Sequence, residues 1–386
     1  MASINLKGIT WDHTRGYLPL LAASQAMHDT IPEIEIVWRR RSLKDFGDRP
    51  IQELADAYDL LVIDHPFVGF AAERGILQPL EALLPAVLLA DLKASSVGKS
   101  WESYWFDNRL WALPIDAAAP VSAWRPDLFA QPEHSLPRTW QELLSLAREG
   151  WVAIAATPVD CLMMFYMLCC AFGEEPFASD SMVVSSVAGG NALEALRELL
   201  ALCDPDCLTR NPIATYRLMS SDQGKLAYSP FAFGYSNYAR EGYTAHPLRF
   251  GDLVSGPLGG ELRSTLGGTG LAISSHCSDI EVAAQFVALI VSGPFQRTAY
   301  LWSGGQPAHR SAWLDQLGNS LCRGFFRSTL PVLDRAYLRP RYNGYILFQD
   351  KASEVIHDYL SAAGNTGSVL ARLEQIAHSS RHRSSV

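Results

Sequence analysis

An uninterrupted apolar run, Leu60–Ile63, is the feature that most constrains the fold of this chain. A strand with one exposed face alternates apolar and polar residues, so a continuous run predicts a strand buried on both faces. Two more strand patterns precede it, at 4–10 and 34–38, and helical patterns follow at 17–28 and 51–58. Strands that alternate with helices predict βαβ units, and hence an α/β fold with a parallel sheet.

Helix-start signals continue the α/β pattern further along the chain. Thr139 and Glu142 have the spacing of a capping box, which predicts a helix that begins immediately after Thr139. Similar signals predict helices over 192–203 and 279–291. The length of 386 residues favours two domains, and no long Pro- or Ser-rich linker separates two halves. Two domains, if present, are therefore joined by ordered segments.

The composition narrows the class of protein. Hydrophobic residues make up 48% and charged residues 19%, which is typical of a packed globular protein. The formal net charge is −8, whereas nucleic acids and anionic membranes select basic faces. We therefore expect no nucleic-acid partner. The most apolar stretch, 151–172, contains Pro158 and Asp160 and is too short to span a bilayer, so we expect no membrane insertion.

The N-terminus and the cysteines bear on the compartment. No basic segment followed by an apolar segment opens the sequence, so no signal peptide is recognised. Seven cysteines are an odd number, and free thiols favour a reducing compartment. As written, the sequence predicts a cytoplasmic protein, and a periplasmic or extracellular one if a leader has been removed.

Several segments together resemble a known family. The family 1 extracellular solute-binding proteins of ABC importers, the maltose-binding-protein-like group, have similar segments in the same order. In this chain those segments are 111–129 (WALPIDAAAPVSAWRPDLF), 137–143 (PRTWQEL), 222–228 (DQGKLAY), 267–274 (GGTGLAIS), the helix at 279–291 and 304–308 (GGQPA). The resemblance extends from Leu6 to at least Ala308.

The resemblance implies a two-lobed periplasmic-binding-protein-like (type II) α/β fold whose lobes close on a ligand by hinge motion. The implied N-terminal lobe is 1–115 with 266–308, and the implied C-terminal lobe is 118–264 with 311–386. The implied hinges lie near 114–118, 265–273 and 306–310. The same resemblance implies a small-molecule ligand, an ABC permease as partner if the protein is exported, and a monomer.

Aspartate and histidine follow two predicted strands where those strands end. Ligands of α/β sheets bind outside the carboxyl ends of the strands, which selects Asp12, His13, Asp64 and His65, with Asp116 in the first crossing. These side chains can hydrogen-bond a polar ligand, or a carboxylate can orient a histidine as a general base. The alternative is structural, with the aspartates as helix caps and the histidines as ordinary loop residues.

Aromatic residues at predicted loops and element ends supply candidate stacking surfaces for a sugar ring or a quaternary ammonium group. Those that we place in the site are Trp11, Phe231, Tyr235 and Trp302. Each can equally be a residue of the core. Cys161, near a predicted helix start, is a weak candidate nucleophile. The spacing of the histidines predicts no metal site, and no cofactor is expected.

The sequence thus favours a solute-binding protein that closes on a small polar ligand: a carbohydrate, a polyol, a betaine or a hydroxy acid. The alternative is a cytoplasmic lyase, isomerase or decarboxylase on the same scaffold. In that enzyme His13 or His65 is the base and Asp12 or Asp64 orients it. A weaker third reading is a cytoplasmic sensor that signals to a protein partner.

Overall fold

The computed structural model describes residues 3–43, 51–130, 135–179, 182–222, 225–362 and 364–382. Its strands are β1 Ile4–Trp11, β2 Ile34–Arg41, β3 Leu60–Ile63, β4 Trp105–Phe106, β5 Arg109–Leu110, β6 Leu113–Ala118, β7 Pro120–Trp124, β8 Tyr228–Phe233, β9 Arg249–Gly251 and β10 Gly267–Ile273. Its main helices are Thr14–Thr30, Ile51–Ala57, Val68–Arg74, Ala86–Ser95, Ser100–Tyr104, Trp140–Arg148, Pro158–Ala171, Ser186–Ala201, Pro212–Met219, Ile280–Val291, Arg310–Leu314, Gln316–Leu321, Phe325–Asp334, Tyr345–Ser361 and Thr366–His382.

The chain divides into two compact units, each made of several segments. Unit 1 comprises Met1–Ala118, Gly267–Ser320 and Arg341–Asn343, and unit 2 comprises Ala119–Leu266, Leu321–Pro340 and Gly344–Val386. The first two passages of the chain between the units therefore follow Ala118 and Leu266. The third follows Ser320, ten residues beyond the segment 306–310 that the sequence suggested.

The sheet of unit 1 has five strands in the order β2-β1-β3-β10-β6. β1 is parallel to β2 and β3, as the alternating pattern predicted. β10 is antiparallel to both of its neighbours. Therefore the carboxyl ends of β1, β2, β3 and β6 lie at one edge of the sheet, which we call the unit 1 edge. All four residues of β3 are buried, as the apolar run predicted.

Two helices begin earlier than their sequence patterns. The helix predicted at 17–28 is Thr14–Thr30, since the imidazole of His13 caps its N-terminus. The helix predicted at 192–203 is Ser186–Ala201, because Ser185 rather than Asn191 caps it. The capping box is present as predicted, with Thr139 and Glu142 both bonded to backbone amides. The glycines near the start of the helix Ser186–Ala201 have a low helix propensity, so the sequence pattern placed the start of this helix too late.

Unit 2 contains a three-stranded antiparallel sheet in the order β8-β7-β9. The apolar stretch at 151–172 forms the helix Pro158–Ala171, which is buried along nearly its whole length. Its first turn contains Asp160, whose side chain is 7% exposed and accepts a 2.5 Å hydrogen bond from the hydroxyl of Thr157. Burial raises the pKa of Asp160 to about 7, although the hydrogen bond from Thr157 opposes the shift.

We predict a specific pH dependence of stability from Asp160. Its folded-state pKa of about 7 exceeds the ordinary value of 3.8, so the folded state binds the proton more tightly. The resulting stabilisation is complete below pH ~4 and is lost as the pH rises to ~7, by at most roughly 4 kcal/mol. The free energy of unfolding of the wild type should therefore fall relative to that of Asp160→Asn across this range.

Urea unfolding followed by circular dichroism at several pH values measures this difference. Asp206→Asn, at an exposed position in the same unit, is the matched control. Its free energy of unfolding should change with pH as that of the wild type does. Parallel curves for Asp160→Asn and wild type would show that Asp160 ionises normally.

Candidate functional site

The unit 1 edge gathers most of the predicted polar residues. Asp12 and His13 follow β1, and Asp64 and His65 follow β3. Because β1 and β3 are parallel neighbours, the two Asp-His pairs lie next to each other at the carboxyl ends of these strands. Asp116 lies in β6 at the same end of the sheet, two residues before the chain passes into unit 2.

Asp116 is engaged by an arginine. The guanidinium of Arg15 grips its carboxylate with two parallel hydrogen bonds, of which Nε–Oδ2 measures 2.7 Å. Both side chains are almost completely buried, at 4% and 0% exposure. Burial raises the pKa of Asp116, and the adjacent Arg15 charge acts in the opposite direction. A carboxylate held in this way has a structural role at the unit 1 edge and is not available to a ligand.

His13 has a local structural role. Its Nδ1 accepts a 3.0 Å hydrogen bond from the backbone N–H of Arg15, so His13 is the N-cap of the helix Thr14–Thr30. An Nδ1 that accepts from an amide carries no proton, and the ring proton of the neutral form is on Nε2. The capping alternative is therefore wrong for Asp12, whose place is taken by His13, and correct for Asp64, which is the N-cap of the short 3-10 helix His65–Phe67.

Asp64 and His65 form a second local arrangement. Oδ1 of Asp64 accepts from the backbone N–H of His65 at 2.8 Å and lies 3.1 Å from Nδ1 of the same residue. The His65 ring is buried, and its edge meets the ring of Tyr104 at a centroid distance of 6.4 Å. The hydroxyl of Tyr104 donates to the Ile63 carbonyl at 3.1 Å. About a fifth of the Asp64 side chain is exposed, so it combines a fixed orientation with access to solvent.

Asp12 differs from Asp64 in its exposure. Its Oδ1 pairs with Nη1 of Arg40 at 3.0 Å, and more than half of each side chain is exposed. The guanidinium of Arg40 also lies over the ring of Tyr17, 4.8 Å from its centroid. An exposed pair of this kind is weak, typically about 0–1 kcal/mol, and therefore yields readily to a ligand.

The aromatic candidates of unit 1 are placed very differently from each other. Trp11 is 3% exposed, and a Cβ atom on Gly16 would lie 2.4 Å from its indole. The indole therefore packs directly on the first turn of the helix Thr14–Thr30, which leaves that face closed to stacking. Trp302 is 56% exposed and offers an open ring surface.

The aromatic candidates of unit 2 are both buried. Phe231, which we expected at a loop or an element end, lies within β8. Its ring stacks on Trp140, with centroids 6.1 Å apart and an interplanar angle of 17°. Tyr235 follows β8 and is 6% exposed, with its ring edge against Tyr216.

Two buried glutamines support β6 and were missed from the sequence. Nε2 of Gln306 donates to the Ala117 carbonyl at 2.8 Å, and Nε2 of Gln296 donates to the Ile115 carbonyl at 3.2 Å. Oε1 of Gln296 in turn accepts from the Ala308 amide at 2.8 Å. The free edge of β6 is thus paired by side chains. Isolated glutamines in a sequence carry no signal of such a role.

The remaining candidates have no support as reactive groups. Burial raises the pKa of the Cys161 thiol well above its usual value, which opposes a nucleophilic thiolate. Over the described ranges, no three His, Cys, Asp or Glu side chains are arranged to hold a metal ion. In the same ranges, none of the helices combines the length and hydrophobicity that crossing a bilayer requires.

Comparison with known proteins shows what this chain is similar to. Residues 47–150 match the family model described as bacterial extracellular solute-binding protein. Maltose-bound MalE3 of T. maritima superposes with a TM-score of 0.83 at 18% identity, covering 97% of this chain and 99% of its own. A search of curated protein sequences finds no match.

Two further solved structures have the same fold. The ABC transporter solute-binding protein of Agrobacterium radiobacter K84 in complex with ribitol gives a TM-score of 0.82 at 17% identity, covering 98% of this chain and 99% of its own. That of Thermotoga lettingae TMO bound with α-D-tagatose gives 0.81 at 17% identity, covering 97% and 100%. The predicted resemblance and the α/β fold class are confirmed.

We predict that the Arg15–Asp116 pair dominates the stability of unit 1. Asp116→Leu or Arg15→Met leaves one buried group without its partner, and each change should lower the free energy of unfolding by about 3–5 kcal/mol. The double variant Arg15→Met/Asp116→Leu should lose less than the sum of the single losses, since no charge remains buried.

Urea unfolding of the four proteins measures the coupling between the two residues. Asp12→Asn breaks only the exposed pair with Arg40 and should cost less than about 1 kcal/mol. Single losses as small as that of Asp12→Asn would contradict the assignment.

Proposed function

We propose that this protein is the receptor of an ABC importer and that it binds a hydroxyl-rich small molecule, a carbohydrate or a polyol. The observation that carries the proposal is the pair of Asp-His sequences side by side at the unit 1 edge. Carboxylate oxygens are suitable acceptors for the hydroxyl groups of a sugar, which donate hydrogen bonds.

The charges at the unit 1 edge favour a neutral ligand over a hydroxy acid. Recognition of a carboxylate normally uses an arginine that presents its forked N–H groups. Arg15, a buried arginine at this edge, is occupied by Asp116. Asp64, in contrast, is partly exposed and carries a negative charge toward solvent. Hydroxyl donors complement that charge, whereas a carboxylate ligand would be repelled by it.

A betaine receives less support than a sugar. Quaternary ammonium groups need several open aromatic faces around one point. The indole of Trp11 is covered by Gly16 and the ring of Phe231 by Trp140. Trp302 is more than half exposed, and we retain it as the candidate for stacking, whereas Tyr235 is buried against Tyr216.

The roles within the site follow from the contacts. In our proposal Asp12 and Asp64 contact the ligand, His13 caps the helix that follows Asp12, and the buried His65 orients Asp64. Asp116 and Trp11 support these residues from the interior. The neighbours named with maltose, ribitol and α-D-tagatose support this ligand class.

The wider assignments form part of the same proposal. We propose that the passages of the chain after Ala118, Leu266 and Ser320 act as hinges. The ligand-loaded receptor, a monomer, delivers its ligand to an ABC permease in the periplasm or outside the cell. No observation favours the lyase, isomerase or decarboxylase alternative, and the Nδ1 of His13 is already engaged by an amide.

Ligand-observed proton NMR on a mixture of sugars, polyols, betaines and hydroxy acids tests the proposal. The signals of sugars or polyols should broaden in the presence of the protein, with integrals that stay constant over hours. One signal that decays while another grows would establish an enzyme and overturn the receptor function. Broadening confined to hydroxy acids would overturn the ligand class.

We predict that Asp64→Asn weakens the affinity for the ligand found in that screen. Loss of a charged acceptor costs about 1.5–3 kcal/mol, which is roughly tenfold or more in Kd. Isothermal titration calorimetry measures this change. Asp29→Asn, exposed on the helix Thr14–Thr30, is the matched control and should bind as the wild type does. Equal affinity of both variants would remove Asp64 from the site.

A further inference from the structure

A serine, a histidine and an aspartate of unit 1 are joined by hydrogen bonds, and none of them belongs to the proposed ligand site. Oγ of Ser311 lies 2.8 Å from Nδ1 of His309. Nε2 of the same ring lies 3.2 Å from Oδ2 of Asp91. All three residues lie within unit 1. The set joins a hydroxyl to an imidazole and the imidazole to a carboxylate, which is the order that a nucleophile, its base and an orienting group require.

The contacts of His309 determine which ring nitrogen carries the proton. His309 caps the helix Arg310–Leu314, and its Nδ1 accepts a 3.2 Å hydrogen bond from the backbone N–H of Ser311. An acceptor nitrogen has no proton, so in the neutral ring the proton is on Nε2, which donates to Asp91. The hydroxyl of Ser311 also donates to Nδ1. Nδ1 is therefore the atom that accepts the proton when Ser311 reacts.

The base and its carboxylate are both held in place. His309 is buried, and a Cβ atom on Gly293 would lie 3.0 Å from Cε1 and from Nε2 of its ring. Asp91 lies in the helix Ala86–Ser95, where its Oδ1 accepts a 3.3 Å hydrogen bond from the hydroxyl of Ser95. Since its Oδ2 faces the imidazole, both oxygens of this carboxylate are engaged. A base fixed in this way is preorganised for proton transfer.

The nucleophile is accessible to a substrate. Ser311 is partly exposed, whereas the ring beside it is buried. Leu314 follows three residues later in the same helix, so it lies on the same face, and 54% of it is exposed. An apolar acyl chain can therefore pack on Leu314 while its carbonyl carbon meets the hydroxyl of Ser311.

We propose that Ser311 is the nucleophile of a second activity, the hydrolysis of carboxylic esters with a short apolar acyl group. Oγ of Ser311 forms a bond to the carbonyl carbon as its proton passes to Nδ1 of His309. The C–O bond to the alcohol breaks, and the alcohol leaves with that proton. Water then attacks the acyl-serine, its proton passes through His309 to Oγ, and the carboxylic acid is released. Asp91 is a positioning residue, because it keeps the ring in the tautomer that accepts at Nδ1.

Labelling of the full chain with a serine-reactive probe tests the proposal. The probe is an alkyl fluorophosphonate, whose phosphorus is attacked by an activated serine hydroxyl with loss of fluoride. Peptide mass spectrometry identifies the labelled residue, and release of p-nitrophenol from p-nitrophenyl butyrate measures turnover. Label on Ser311 together with ester hydrolysis is the expected result. Ser320→Ala is the matched control, since Ser320 is exposed in the same unit and its hydroxyl donates to the Gln316 carbonyl rather than to an imidazole.

The variants of the three residues should differ in a defined order. Ser311→Ala should abolish the label, and both Ser311→Ala and His309→Gln should lower the rate of ester hydrolysis by roughly 10²-fold or more. Asp91→Asn should lower kcat about tenfold with little change in KM, the effect of replacing a charged acceptor, and Asp91→Glu should recover part of that loss. Ser320→Ala should behave as the wild type does.

Label on a different residue, or on none, would overturn the proposal. A rate of ester hydrolysis in Ser311→Ala equal to that of the wild type would do the same. If His309→Gln fails to fold, Ser311→Ala and the two Asp91 variants decide the matter, because neither position is buried. Circular dichroism establishes which variants are folded.

Discussion

The buried ion pair between Arg15 and Asp116 is the interaction on which the organisation of unit 1 depends. Two charges removed from water are tolerated only when their hydrogen bonds are well aligned, and the parallel bonds between these two groups satisfy that condition. The pair joins the first turn of the helix Thr14–Thr30, which follows β1, to β6. In the sheet, β3 and β10 lie between β1 and β6. It thereby fixes the loop that carries Asp12 and His13 relative to the sheet.

The aspartates at this edge differ in role, although they are the same type of residue. Three aspartates lie at or near the unit 1 edge, and their exposures separate their roles. Asp116 is enclosed and supports the structure, whereas Asp64 is partly exposed and oriented by His65. Asp12 lies mostly in solvent beside Arg40. Exposure and prior pairing, rather than residue type, therefore decide which carboxylate is available to a ligand.

Hydrogen bonds from two buried side chains complete the edge of β6. Gln306 and Gln296 bond the edge of β6 close to the point where the chain leaves unit 1. The edge of β6 therefore depends on hydrogen bonds in buried surroundings, where an unmade bond is costly.

The sequence by itself determined the α/β class, the burial of β3, the capping box at Thr139 and the resemblance to solute-binding proteins. These depend on local periodicity, on capping geometry and on ordered motifs, all of which are written along the chain. The antiparallel course of β10, the partner of Asp116 and the covering of Trp11 by Gly16 depended on the tertiary structure. They arise from contacts between residues distant along the chain or from exact side-chain directions, which no local pattern encodes. The apolar and aromatic pattern of the sequence predicts burial and stacking equally, and only packing distinguishes the two.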